Sequence, residues 1–204
     1  MGYPLRFLEL GHTHHITSKC NEKKMMLRKG KIKKLFLYVI QKTQNKYKFE
    51  LNNIVIMENH FHLKITTVMG GDTIDVIMQY IKSVFAKKYN KLFNRTGHFW
   101  SGRYKDKVVE HQHKSEIYLN NLIVYFALNP VEANIVDCPE DYIYSAFNLY
   151  MTGKNNLPIE ITIHPLFDIQ YVKHKIEKKL KEKYWKKFKV NVVFNYKEFY
   201  KLFF

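Results

Sequence analysis

His60 and His62 stand one residue apart in Met57-Glu58-Asn59-His60-Phe61-His62-Leu63, with apolar runs on either side from Leu51 to Ile56 and from Leu63 to Thr67. Alternate residues of a β-strand point to the same face. A strand here presents both imidazoles to one point and turns Phe61 into the opposite layer. Two same-face imidazoles can ligate a divalent metal, or can simply make a polar strand face. A second spacing is helical. Ser115 to Val131 reads as a helix with Ser115 as its N-cap and an end near Pro130, because proline disfavours helical geometry at the residue before it. Tyr125 and Asn129, four apart, share one face of it. That face carries a phenol one turn from an amide oxygen. The phenol has a plainer use as core, like Tyr118 and Phe126.

The elements that must position these groups follow along the chain. His14 to Cys20 reads as a strand. Asn21 can cap a helix reaching Ile40 and ending in the polar Gln41 to Lys46, with Gly30 as a place where it splits. Lys48 to Ile56 and Asn59 to Thr67 read as successive strands, and Met69 to Asp72 as a turn. A helix follows from Ile74 to about Phe93. Its apolar positions Ile77, Tyr80, Ile81, Val84 and Phe85 recur at helical spacing, while Lys82, Lys87, Lys88 and Lys91 form its solvated or DNA-facing side. Phe99 to Val109 reads as extended, and short helical pieces are expected at 130–136 and 141–151. The order predicts an α+β fold, an antiparallel sheet packed with helices. Residues 153 to 165 read as a linker to a basic C-terminal helix with Ile176, Leu180, Tyr184 and Phe188 at four-residue steps.

At 204 residues the chain suits one compact domain plus an appendage, and a hydrophobic content of 46% is ample for a core. The formal net charge of +16 favours a polyanionic partner, nucleic acid ahead of a membrane surface. An AT-rich genome loads proteins with Lys, Asn, Ile and Phe whatever their function, so charge alone does not decide. Cys20 and Cys138 make neither a disulfide framework nor a zinc cage, which suits a reduced, cytoplasmic protein. Met1 to Arg6 lacks the pattern of a signal peptide, and Gly2 lacks the Ser or Thr at position 6 that accompanies myristoylation. No apolar run is long enough to span a bilayer.

His60-Phe61-His62 after a strand, followed by Tyr125-x-x-x-Asn129-Pro130-Val131, resembles the single-tyrosine transposases with a His-hydrophobic-His (HUH) motif, and more narrowly the REP-associated tyrosine transposases. Supporting stretches occur in the family's order. They are His14 to Cys20, Ile56 to Leu63, Tyr89-Asn90, Gly97-His98-Phe99-Trp100-Ser101-Gly102-Arg103-Tyr104-Lys105 and Pro139 to Ser145. Where the family usually has Arg, Gly and Trp, this chain has Glu132, Asn134 and Tyr144. Glu132 reverses a charge beside the expected DNA path, whereas Asn tolerates the positive φ that a Gly position often needs.

The resemblance implies a ferredoxin-like, RRM-like fold, with the catalytic domain at 1–152 and a linker and basic appendage at 153–204. It implies cleavage and rejoining of single-stranded or hairpin DNA through a 5′-phosphotyrosine. Tyr125 would be the nucleophile, and His60, His62 and Asn129 would hold Mg²⁺ or Mn²⁺. Arg103, Lys105, Lys87 and Lys88 would grip phosphates, and Trp100, with Phe99 and Tyr104, would stack on bases or else fill the core. His98, His111 and His113 are not expected to be primary ligands. The protein would act as a monomer or homodimer, in the cytoplasm on the nucleoid. Two rivals remain at this level: a non-catalytic DNA-binding descendant of a transposase, and a metal-dependent nuclease in which water attacks.

Overall fold

Two runs of strand-forming residues meet at a tight turn to make the central hairpin, β2 (Phe49–Ile56) and β3 (His60–Thr67), in the computed structural model, which describes residues 8–188. β1 (Thr13–Lys19) pairs with the other edge of β3, and the short β4 (Lys105–Val108) pairs with β1. The sheet order is β2-β3-β1-β4 and every pair is antiparallel. α1 (Gly30–Gln44) links β1 to β2, and α2 (Ile74–Leu92) links β3 to β4. Each helix therefore carries the chain over an intervening strand, the split βαβ arrangement of ferredoxin-like folds.

Side-chain alternation separates two chemistries onto two faces. Phe61, Leu63 and Ile65 turn toward α1 and α2, where Phe36, Phe61, Phe85, Phe99 and Trp100 form one aromatic cluster. Phe36 lies 4.7 Å from Phe61 and Phe99 lies 4.5 Å from Trp100, centroid to centroid. His60, His62 and Lys64 turn the other way, beneath α3 (Ser115–Glu132), whose Phe126 ring packs 5.4 Å from His62 and 5.5 Å from His15. Two further α-helices follow, α4 (Phe147–Thr152) and α5 (Ile169–Phe188).

Several local expectations are corrected. The first helix does not begin at Asn21. A single 3-10 turn occupies Asn21–Lys23, and α1 starts at Gly30, where the Tyr144 hydroxyl lies only 2.7 Å from the place a Cβ would take. α3 is preceded by Lys114 in the left-handed region, so Ser115 lies inside the helix and does not cap it. The helix also passes through Pro130 to Glu132. Proline removes one donor there, and so close to the end the remaining carbonyls are met by Ala133 and Asn134, whose N–H groups reach Asn129 and Val131. Asn134 takes φ 54°, the left-handed conformation for which asparagine substitutes well for glycine. Of the expected extended segment 99–109, only Lys105–Val108 is a strand, with an isolated bridge between Trp100 and Cys20 before it.

The first compact unit does not stop at residue 152 but runs to Phe167, and a second begins at Asp168. The expected linker is pinned to β2 and α1. Thr162 N–H donates to the Leu51 carbonyl, Asn52 donates to the Thr162 carbonyl, and the Gln44 amide holds both backbone groups of Glu160. These bonds satisfy an outer strand edge that would otherwise lack partners. Residues 169–188 are helical, as their four-residue rhythm predicts. The Tyr184 and Phe188 side chains, residues 189–204 and the Met1–Arg6 segment lie outside the described residues. No helix among the described residues is long and apolar enough to cross a membrane.

Lys64 is the one fully buried lysine among the described residues. Its ammonium has no hydrogen-bond partner and lies 5.8 Å from the Tyr150 ring, and burial pushes its pKa down to about 7. Between that value and the ordinary lysine range the unfolded chain binds a proton the folded chain does not, so stability rises with pH across this window. Lys64→Met should therefore stabilise the fold near pH 7 by about 1–3 kcal/mol, with the gain shrinking toward pH 10. Denaturant unfolding of both proteins at pH 7 and pH 9 measures it.

Candidate active site

The strand register assembles one face residue by residue. β1 sets Lys19 opposite His60, Thr17 opposite His62 and His15 opposite Lys64. β4 then sets Lys105 beside Thr17 and Lys107 beside His15. The histidine pair is thus flanked on its β1–β4 side by three exposed lysines, Lys19, Lys105 and Lys107. α3 roofs the site from above and contributes Tyr125 and Asn129 from adjacent turns of one face.

The two imidazoles stand edge to face, 5.0 Å between centroids. His62 is buried, and its pKa falls to about 2, first through burial and then through the nearby His60, His15 and Lys19. His60 is half-buried and its pKa is also lowered, by burial and by Lys19, with a hydrogen bond to the Asn129 side-chain oxygen acting the other way. His15 is pushed down to about 4 by burial and by Lys107. All three rings are therefore neutral at physiological pH, the state in which imidazole ligates metals. Each histidine of the pair has one nitrogen already engaged. His60 Nδ1 lies 2.6 Å from Asn59 Oδ1, and His62 Nδ1 lies 2.9 Å from Thr17 Oγ1 and 3.1 Å from His15 Nε2.

Tyr125 is 38% exposed, and its hydroxyl makes a long 3.4 Å contact with His62 Nε2. Its ring meets His62 edge-on at 5.1 Å. Asn129 hydrogen-bonds His60 through its side chain, while its Nδ2 is buried and has no partner, so the contact is made by Oδ1. These residues fit a divalent cation. Two neutral imidazoles and an amide oxygen converge, and the oxygen of Asn59 already competes with that of Asn129 for the single proton of neutral His60. Among the described residues, no group of three or more His, Cys, Asp or Glu side chains could hold an ion, so the amide is needed to complete a set of three.

The structure thus brings together His60, His62, Tyr125 and Asn129, with Lys105 beside them. Trp100 does not join them. It is 8% exposed, with Phe36, Phe61, Phe85 and Phe99 around its ring and its indole N–H donating to the Lys82 carbonyl. Lys87 and Lys88 lie on α2, across the sheet from the histidines, and the Lys88 ammonium sits 5.2 Å from the Tyr38 ring. Arg103 is exposed in the loop that precedes β4. The sequence motifs do not single out Thr17, His15, Lys19, Lys107 or Asn59, all of which border the site. The i, i+2 spacing of Lys105 and Lys107, and of His15, Thr17 and Lys19, is the signal that marks four of them.

The family described as "Transposase IS200 like" matches residues 10–121, more than half of the chain. A Haemophilus influenzae protein named as a REP-associated tyrosine transposase is 28% identical in a 120-residue alignment that covers 55% of this chain and 67% of that one. A solved structure of a REP-associated tyrosine transposase bound to a REP hairpin superposes with a TM-score of 0.62 at 20% identity, covering 82% of this chain and 98% of that chain, a likeness of fold. The chain belongs to the IS200-like transposase family.

Proposed function

We propose that this protein cuts and rejoins single-stranded or hairpin DNA through a covalent 5′-phosphotyrosine at Tyr125, acting on the nucleoid in the cytoplasm. The observation that supports this most directly is the Tyr125 hydroxyl standing beside His62, one helical turn from Asn129, on a face lined by lysines. The Tyr125 oxygen attacks phosphorus, the bond from phosphorus to the 3′ oxygen breaks, and the strand leaves with a free 3′ hydroxyl. The phenolic proton passes to solvent, which the exposure of Tyr125 permits. A second 3′ hydroxyl then attacks the phosphotyrosine and restores both a phosphodiester and the phenol, so joining needs no nucleotide cofactor. His60, His62 and Asn129 would hold Mg²⁺ or Mn²⁺. A bound ion of this kind supplies Lewis-acid polarisation of the phosphoryl oxygen and charge stabilisation at the departing oxygen. Residues 1–152 carry the chemistry in this reading, and the basic C-terminal segment adds affinity.

Incubation with labelled hairpin DNA and Mn²⁺, followed by a denaturing gel, tests the reading. A protein–DNA adduct that survives denaturation is expected. Cut DNA without adduct would mean that water attacks, and binding without cutting would mean a non-catalytic DNA-binding protein.

The substrate backbone runs along Lys19, Lys105 and Lys107 in this proposal, with Arg103 at its entry. Removing these three lysines should flatten the dependence of log K on log salt by about 0.7 for each single-strand phosphate that is no longer neutralised. Lys87→Ala with Lys88→Ala, on the opposite face, should leave the slope for a short strand nearly unchanged. An equal flattening in both variants would remove the assignment of the path to this face.

A further inference from the structure

His62 can ligate a metal through Nε2 only when its single proton sits on Nδ1, and the surroundings of Nδ1 do not settle that by themselves. Two atoms compete there. Thr17 Oγ1 lies at 2.9 Å and His15 Nε2 at 3.1 Å, with the two rings stacked 5.4 Å apart. His15 can accept the His62 proton, or it can donate its own to His62 Nδ1 and drive the His62 proton onto Nε2. The second arrangement leaves His15 Nδ1, which is buried without a partner, as a bare lone pair and not as a stranded N–H. A buried donor without a partner is the rarer and costlier of the two. Left to itself, the histidine pair therefore leans toward the arrangement that blocks Nε2.

We propose that Thr17 is the positioning residue that reverses this preference, accepting the His62 Nδ1 proton and so presenting the Nε2 lone pair toward Tyr125. Three features of Thr17 suit the task. It is the direct cross-strand neighbour of His62, it is shorter in contact than His15, and its β-branched side chain is stiff about χ1. A hydroxyl can also accept with one lone pair while its own proton points elsewhere. The proposal rests on the reading of His62 as a metal ligand given above. It assigns to β1 a role in the metal site although β1 supplies no ligand.

The test uses the full chain, ¹⁵N-histidine NMR of the metal-free protein and calorimetric titration with Mn²⁺. In the wild type His62 should be the Nδ1–H tautomer; finding Nε2–H there overturns the proposal without any variant. Thr17→Val keeps the shape and removes the acceptor. It should shift His62 toward Nε2–H and weaken Mn²⁺ binding by about 10-fold or more, the usual effect of removing a group that orients a ligand. Thr17→Ser should restore both readouts. A Val variant with wild-type tautomer overturns the proposal, even if its affinity falls. His62→Ala distinguishes failure of this role for Thr17 from failure of the metal site as a whole. If it loses Mn²⁺ binding and Thr17→Val does not, Thr17 is a bystander. If it too binds as the wild type does, His62 is not a ligand and the site reading itself fails.

Discussion

Tyr125→Phe is expected to end covalent adduct formation, lowering it by roughly three orders of magnitude or more, because the hydroxyl is the bond-forming atom and nothing nearby replaces it. The ring remains to pack edge-on against His62 and His15. The hydroxyl that is removed makes only a long hydrogen bond, so stability should stay within about 0.5 kcal/mol. DNA affinity should stay close to wild type, since the lysine strip is untouched. The measurement is a denaturing gel of labelled hairpin DNA with Mn²⁺, paired with a thermal melt. A Phe variant that forms adduct at the normal rate would move the nucleophile to another residue.

His60→Ala and His62→Ala should each cost more in Mn²⁺ affinity than the roughly 10–100-fold that removal of a supporting hydrogen-bond partner costs, and each should stop cleavage. A ligand is removed in both cases, and the remaining imidazole and amide cannot replace it. Asn129→Ala should bind less weakly than either, because one neutral oxygen contributes less than an imidazole. Calorimetric titration orders the three. Unchanged affinity in both histidine variants would return the pair to a structural role.

Much of this site was legible because its two motifs are short-range. His60 and His62 share a face by the period of a strand, and Tyr125 and Asn129 by the period of a helix. The expected helix from Ile74 matches α2 closely for the same reason, its apolar stripe being long and regular. β2 was recognisable as a strand, but its two faces were not. A bulge between Leu51 and Asn53 inserts a residue, so Leu51 and Ile54 both pair with core residues of β3 although their numbers differ in parity. The contributions of β1 and β4 were hidden for another reason. Thr17 meets His62, and Lys107 meets His15, only through pairings between strands distant in sequence. For Trp100 the core alternative is the one the fold takes; the Gly97 to Lys105 stretch mixes aromatic and basic residues, and only tertiary packing sends the aromatic ones inward.

The pairing of β1 with β3 gives this site a reading frame of two residues, nested inside the genetic frame of three. His15, Thr17 and Lys19 on one strand and His60, His62 and Lys64 on the other face the same way only while both strands keep their phase. Losing a single codon in the turn before His60 would, if the turn closed and β3 slipped by one residue, put His62 in the place of Phe61 in the aromatic cluster and Leu63 in the place of His62 beneath Tyr125. Losing two codons would shift the histidines along the strand but leave them on their own side. Small in-frame deletions at this turn should therefore fall into two classes by whether they remove an odd or an even number of residues, a distinction that amino-acid identity alone would not reveal.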